Sequence, residues 1–383
     1  MDRRTFTRLG AAFIATSPAI LRAQKPKRVI VIGAGAAGMT AAYHLKNAGV
    51  DAQIFEASNR MGGRVKRTKA LSNVPLDLGA EWIHTDPTVL GEILGQGATS
   101  LGVKTIAYAP QTFQVWNNGR LQNFNALRHF YEEVKFFDTT WYGFFERLVM
   151  PQIKNDTRLN SPVSFVEAHS GGVSIKLKDG QVHEADKAIV TVPLSALQQG
   201  QIKFSPGMKN ANLRALKRVP FGSGFKVFLT FKERFYPDIL TEGTRRDAMQ
   251  DAWSSKLYYD AAFGKPTRDN ILGLFTVSEG PLLRAGMNKA ALTRSILAEL
   301  SDVFGNVVAD SFIESVVQNW SQEPFVNGSY SMSDASNQHL SDLLRPIEGR
   351  IFFAGELLGG DNRSTVHGAA FSAMKAVAES LEA

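Results

Sequence analysis

Gly33, Gly35 and Gly38 stand as G-x-G-x-x-G within KRVIVIGAGAAGMTAAYHLKNAGVDAQIFEA, and Glu56 closes the same stretch. This spacing suits the phosphates of a dinucleotide. The first glycine allows a tight turn, the second admits the backbone to a pyrophosphate, and the third lets a helix pack close to a strand. The free N–H groups at the helix start then face the phosphates, and the Glu56 carboxylate is placed to accept both hydroxyls of a ribose. Immediately downstream, Arg60, Gly62, Gly63 and Arg64 in RMGGR add a second glycine pair between guanidinium groups, which brings more N–H donors and positive charge toward a pyrophosphate. On its own RMGGR is a glycine turn with solvated arginines; behind this unit it reads as an extension of it. NAD and FAD share the ADP half, so the first unit fits both.

Other chemistry-bearing residues stand apart from these. Lys226 lies in GFKVFLTF, where Lys226, Phe228 and Thr230 alternate with Phe225, Val227 and Leu229 as in a strand. An inward lysine there requires a partner or water, whereas an outward one requires nothing. His84, after Trp82 in EWIH, titrates near neutrality and suits a cationic ligand, with Asp86 close behind. Cysteine is absent, which excludes disulfides, thiolate metal sites, thiol catalysis and a flavin tethered through sulfur. Neither a Ser-His-Asp arrangement nor a metal-ligand cluster is evident, so no metal is expected.

The sequence resembles the flavin-containing amine oxidases, the family of monoamine oxidases, polyamine oxidases and flavin-type histone lysine demethylases. The landmarks are GAGAAG with RMGGR, DLGAEWIH at Asp77–His84, SPV at Ser161–Val163, AIVTVPLSAL, FGSGFKVFLTF, NGSYS, and FFAGE with TVHGAAFSA, all in the family order. The resemblance runs from about Lys27 to the C-terminus and is weakest at 86–150. It implies an α/β fold in which a Rossmann-like FAD-binding domain (24–85, 151–215 and 336–383) interleaves with an α+β substrate domain (86–150 and 216–335). It implies oxidation of a small-molecule amine to an imine, with hydride transfer to flavin N5 and hydrolysis of the imine. The acceptor that reoxidises the flavin is dioxygen or an electron-transfer protein. Among residues, the resemblance places Lys226 against flavin N5 through a water, Tyr330 as one wall of the substrate cage, and His84 as an active-site histidine. It places Val163 at the adenine, and Gly355 and Glu356 at the ribityl chain. Thr365 and Val366 stand where the C-terminal helix meets the flavin's carbonyl edge. Thr365 also occupies the position of the second cage wall, so a two-tyrosine cage is not expected. Ser329 stands where some monoamine oxidases carry the cysteine joined to the flavin, which makes FAD noncovalent. An amino-acid oxidase, a flavin desaturase and a non-catalytic flavoprotein are the alternatives on the same fold. The stretch between His84 and Val163 is shorter than is usual in the family, so a particular substrate does not carry over.

The elements that must position these residues are legible in outline. Strands at Arg28–Ile32 and Ala52–Glu56 flank a helix running to about Asn47; FFAGE is a short buried strand, and the helix after it keeps one face slim with Ala369, Ala373 and Ala376. Asn288–Phe304 is an amphipathic helix with Leu292, Ile296, Leu300 and Val303 on one face and Gly305 at its end. The aromatic crowd at Phe130–Phe145 reads first as core packing. At 383 residues the chain is long for a single core, and with 44% hydrophobic and 21% charged residues and a mean hydropathy of −0.12 it has the composition of a soluble globular protein. Of the +7 formal charge, +3 lies in residues 1–23, where Arg3, Arg4, Arg8 and Arg22 stand against Asp2; the +4 left, with no long Lys/Arg block, gives no concentrated basic face for nucleic acid. Those first residues, paired arginines followed by a short apolar stretch and small residues, read as a twin-arginine export signal and point to the bacterial periplasm; the apolar stretch is too short to span a membrane stably.

Overall fold

The computed structural model describes residues 26–96, 101–129, 132–244, 256–278, 283–332 and 337–382. The export-signal reading at 1–23, along with Phe130 and Tyr131 of the aromatic crowd, lies outside the described residues.

Arg28–Ile32 is the central strand of a five-stranded sheet, with Asp51–Phe55 and Lys187–Val190 parallel on either side and Thr157–Arg158 and Ile351–Phe353 at the edges. Its run of Val and Ile is continuous because both faces are covered. Val29 and Val31 face one core, while Ile30 and Ile32 face another. The first core is built on helices Ala36–Asn47 and Val366–Glu382, which pack together through Ala37, Ala41, Ala369, Ala370 and Ala373. Small side chains let the two backbones approach closely and bring the first and last described helices to one side of the sheet.

The second large layer is a seven-stranded sheet in the order Phe312–Asn319, Ser223–Phe231, Asn270–Ser278, Lys256–Asp260, Ile239–Glu242, Phe113–Asn117 and Arg120–Asn123. The alternation in GFKVFLTF is real, and both of its faces are buried. Phe225, Val227, Leu229 and Phe231 pack with Leu292, Ile296 and Leu300 of helix Lys289–Phe304, which the Asn288 side chain caps at 2.9 Å and Gly305 ends at φ +76°. Phe228, on the other face, packs with Tyr108, Phe113 and Tyr259. A four-stranded sheet, Val182–Ala185, Gly172–Leu177, Val163–His169 and Lys203–Ser205, sits beside the second core.

The segment 86–150 is shared between layers. Phe113–Asn117 and Arg120–Asn123 extend the seven-stranded sheet, whereas Phe136, Trp141, Phe144 and Phe145 fill the core beneath the nucleotide-type unit. Most of the described aromatic crowd therefore packs, with Tyr142 against the same core.

Candidate active site

A cavity of about 470 Å³ runs from the first glycine turn to the wall formed by strand Ser223–Phe231. The turn is made as its spacing requires. Gly33 takes φ +103°, and a Cβ on Gly38 would stand 1.9 Å from the Gly33 carbonyl oxygen, so only glycine allows this helix to start so near the strand. Gly35 differs: a Cβ there would meet no protein atom within 4 Å, and the same is true of Gly355. Both border the cavity with bare backbone. RMGGR folds against this turn through a bridge between Gly35 and Gly62 and a hydrogen bond from Gly62 N to the Ala34 carbonyl at 2.8 Å.

Glu56 also borders the cavity and is 8% exposed. One of its oxygens accepts the Ala34 N–H at 2.6 Å and the other accepts the N–H and hydroxyl of Ser58 at 2.8 and 2.7 Å. These bonds orient the carboxylate and leave it capacity for hydroxyl donors. Arg60 and Arg64 line the cavity, but their guanidinium groups already have partners. Arg60 donates to the Gly63 carbonyl at 2.7 Å and lies 3.5 Å from Glu323; Arg64 donates to the Ser329 carbonyl at 2.9 Å and to Glu356 at 3.1 Å. A pyrophosphate here would share that charge with the protein. Bare backbone at Gly35 and Gly355, together with an oriented acid, fits an extended dinucleotide.

Val163 opens its strand on the cavity lining. Glu356 starts a short turn after strand Ile351–Phe353 and accepts the Ser331 hydroxyl at 2.6 Å, and Gly355 ahead of it has φ +150°. Thr365 and Val366 reach the cavity at the start of the last helix, where the Thr365 hydroxyl accepts the Gly368 N–H at 2.9 Å. Tyr330 lines the cavity, and its hydroxyl is pushed up to about 12 by burial and by the nearby Glu356 carboxylate, so it stays protonated at physiological pH. Ser329 also lines the cavity, and its hydroxyl donates to the Gly222 carbonyl at 2.8 Å. His84 borders the cavity with about half of its side chain exposed, and its Nδ1 is 3.0 Å from Glu133. Asp86 does not border the cavity; its carboxylate accepts the Thr88 N–H at 2.8 Å, which holds it below the ordinary range. His367 is buried behind the wall with Nε2 3.3 Å from the Asn362 side chain, and burial, with His84 adding its charge, lowers it to about 4.

Lys226 is 2% exposed on the cavity wall. Its ammonium donates to the Gly79 carbonyl at 3.1 Å and to Glu81 Oε2 at 2.5 Å. Tyr259 donates to the same oxygen at 2.5 Å, and Lys135 Nζ lies 2.6 Å from Glu81 Oε1. Burial alone would raise the Glu81 carboxyl, but the two ammoniums outweigh it and hold the group well below the usual carboxylate range. Glu81 reaches this place because a Cβ on Gly79 would sit 1.8 Å from the Arg64 carbonyl, so the chain can pass only as glycine before turning Glu81 inward. Sequence reasoning identified the lysine's need of a partner but not the partner. Two signals were present: an acid inside the DLGAEWIH landmark, and Lys135 amid the aromatic crowd.

Among known proteins, a family described as flavin containing amine oxidoreductase matches residues 36–151 and 143–381. The chain is 21% identical over 457 residues to lysine-specific histone demethylase 1B of Mus musculus, covering 98% of this chain and 55% of that protein. It is 23% identical over 443 residues to polyamine oxidase 4 of Oryza sativa subsp. japonica, covering 92% of this chain and 88% of that one. The chain thus spans about half the length of the demethylase. Its fold matches that of a putrescine oxidase structure, wild type bound to putrescine, with a TM-score of 0.73 at 16% identity over 92% of this chain and 98% of that chain. With the family match extending over nearly the whole of the described fold, the chain is a member of the flavin containing amine oxidoreductase family.

Proposed function

We propose that this protein binds FAD noncovalently and oxidises a small amine. The observation that carries the reading is one cavity lined both by the bare glycine turn and by a buried lysine, with Tyr330 and Thr365 on the same lining. Gly35, Gly62 and Gly63 would border the pyrophosphate, Glu56 the ADP ribose, Val163 the adenine, and Gly355 and Glu356 the ribityl chain. Bound flavin supplies the hydride acceptor for the carbon next to the amine nitrogen. The chain's own residues do the rest: Tyr330 presents an aromatic face to a cationic or neutral amine, apolar walls at Phe225 and Phe275 exclude water, and Lys226 holds a polar position on the flavin side. Polyamine and putrescine oxidases among the relatives support a substrate with more than one amine. Dioxygen or an electron-transfer protein would complete the cycle. Export by the N-terminal signal and a periplasmic location remain part of the same proposal. Among the described residues no helix is long and apolar enough to cross a membrane.

Arg363 borders the same cavity, which gives the amino-acid oxidase reading one residue of its own. The test is anaerobic mixing of the flavin-loaded protein with mono-, di- and polyamines and with amino acids. Bleaching of the flavin band by amines supports the proposal, bleaching by amino acids alone transfers it to the second reading, and bleaching by neither refutes both.

A further inference from the structure

We propose that Lys135, acting through the Glu81 carboxylate it shares with Lys226, is a positioning residue that sets the charge of Lys226 on the cavity wall. The proposal rests on the cavity being the reacting site, but its test does not need the reaction.

One carboxylate serves two buried ammoniums. Glu81 Oε1 is 2.6 Å from Lys135 and Oε2 is 2.5 Å from Lys226, and Tyr259 donates to that second oxygen as well. Neither lysine has Glu81 to itself, and the charge on Lys135 disfavours a second charge on Lys226. The two differ in surroundings. Lys135 is 0% exposed, does not border the cavity, and sits 4.7 Å from the centre of the Tyr108 ring and 5.2 Å from that of Tyr259. Lys226 borders the cavity and so can exchange its proton with what the cavity contains. An imbalance within the trio is therefore expressed at Lys226. In agreement, burial lowers Lys226 below the ordinary lysine range by more than Glu81 raises it, and Lys135 adds to the lowering.

Among the described residues, the remaining groups around Lys226 do not supply a second counterion at contact distance. Asp77, on the segment that carries Glu81, is fully buried, and burial and Glu81 raise its carboxyl well above the ordinary range. Lys265 donates to the Phe136 carbonyl at 2.8 Å and is lowered to about 8, first by burial and then by Lys135. Asp260, next to Tyr259, is paired with Arg234 at 2.9 Å. Across the sheet, the register partners of Lys226 are Phe275 and Gln318, and Gln318 is bound by Lys66 and Glu323. Glu133, two residues before Lys135, is occupied with His84.

The experiment uses protein labelled with 13C and 15N in lysine, with and without flavin. The Cε and Nζ resonances of Lys226 are assigned by their loss in Lys226→Met and followed across pH. The titration midpoint of Lys226 is expected below that of the surface lysines. It should rise by about one pH unit or more in Lys135→Met, where Lys226 is the one ammonium left at contact distance from Glu81, and fall by a similar amount in Glu81→Gln. Tyr259→Phe, which keeps every charge and removes only a competing donor, should raise it by a few tenths and carries the test if Lys135→Met does not fold. A midpoint that ignores both Lys135→Met and Tyr259→Phe, or one equal to that of surface lysines, overturns the proposal. Failure of the flavin reading would show separately, as protein that takes up no flavin while the Lys226 midpoint still follows Lys135.

Discussion

The two ends of the cavity are built by different means. At the glycine turn the site consists mainly of backbone: Gly33, Gly35 and Gly62 bring peptide groups to its surface, and the buried acid there, Glu56, is held by the N–H groups of Ala34 and Ser58. At the far wall the site consists of side-chain charge: Glu81, Lys135, Lys226 and Tyr259 come from four segments far apart in sequence. The first kind of site tolerates changes of charge and fails on added volume. The second fails when one charge is removed from its partners.

Glu81→Leu should do the greatest damage, because it leaves two ammoniums buried without their carboxylate; a loss of about 3–5 kcal/mol is expected from denaturant titration. A Glu81→Leu, Lys135→Met double variant should recover a large part of it, and no recovery would mean that the trio is not one unit. At the other end, Gly38→Ala should unsettle the fold, since its Cβ would lie 1.9 Å from the Gly33 carbonyl, whereas Gly35→Ala should leave melting temperature unchanged and weaken flavin retention about tenfold or more. Equal effects on stability from the two glycines would break the distinction between packing and binding positions. Lys226→Met should slow flavin reduction or reoxidation at least about tenfold in stopped flow with flavin still bound, as expected for loss of a positioned proton-handling group; unchanged rates would remove Lys226 from the site.

A smaller effect concerns pH. The His367 imidazole is lowered in the folded protein to about 4 from 6.5. Between those values the unfolded chain binds a proton that the folded one refuses, so stability is lost as pH falls through that window. Replacing His367 with Gln should flatten the decline in melting temperature between pH 6.5 and 4; an identical decline would assign it to other groups. Smallest, Asn288→Ala should cost about 1 kcal/mol by removing the cap on helix Lys289–Phe304, far from either end of the cavity.

Legibility in the sequence follows the same division. The βαβ unit was readable because its strand, glycine spacing and helix follow one another within a short stretch, and strand Arg28–Ile32, helix Ala36–Asn47 and the Asn288-capped helix are found close to where spacing places them. The second strand is Asp51–Phe55, one residue earlier than read. Lys226 was readable as a question, since alternation puts it on one face of a strand without saying whether that face is covered. The answer required Glu81 and Lys135, and no local pattern relates them.

The sequence by itself determined the phosphate-type turn, the elements around it and the order of the family's landmarks, since these depend on backbone geometry and short-range periodicity. Only the tertiary structure decided which charges meet. Coulomb energy depends on distance through space and on the exclusion of water, and both are set when the seven-stranded sheet closes over Gly79–Glu81.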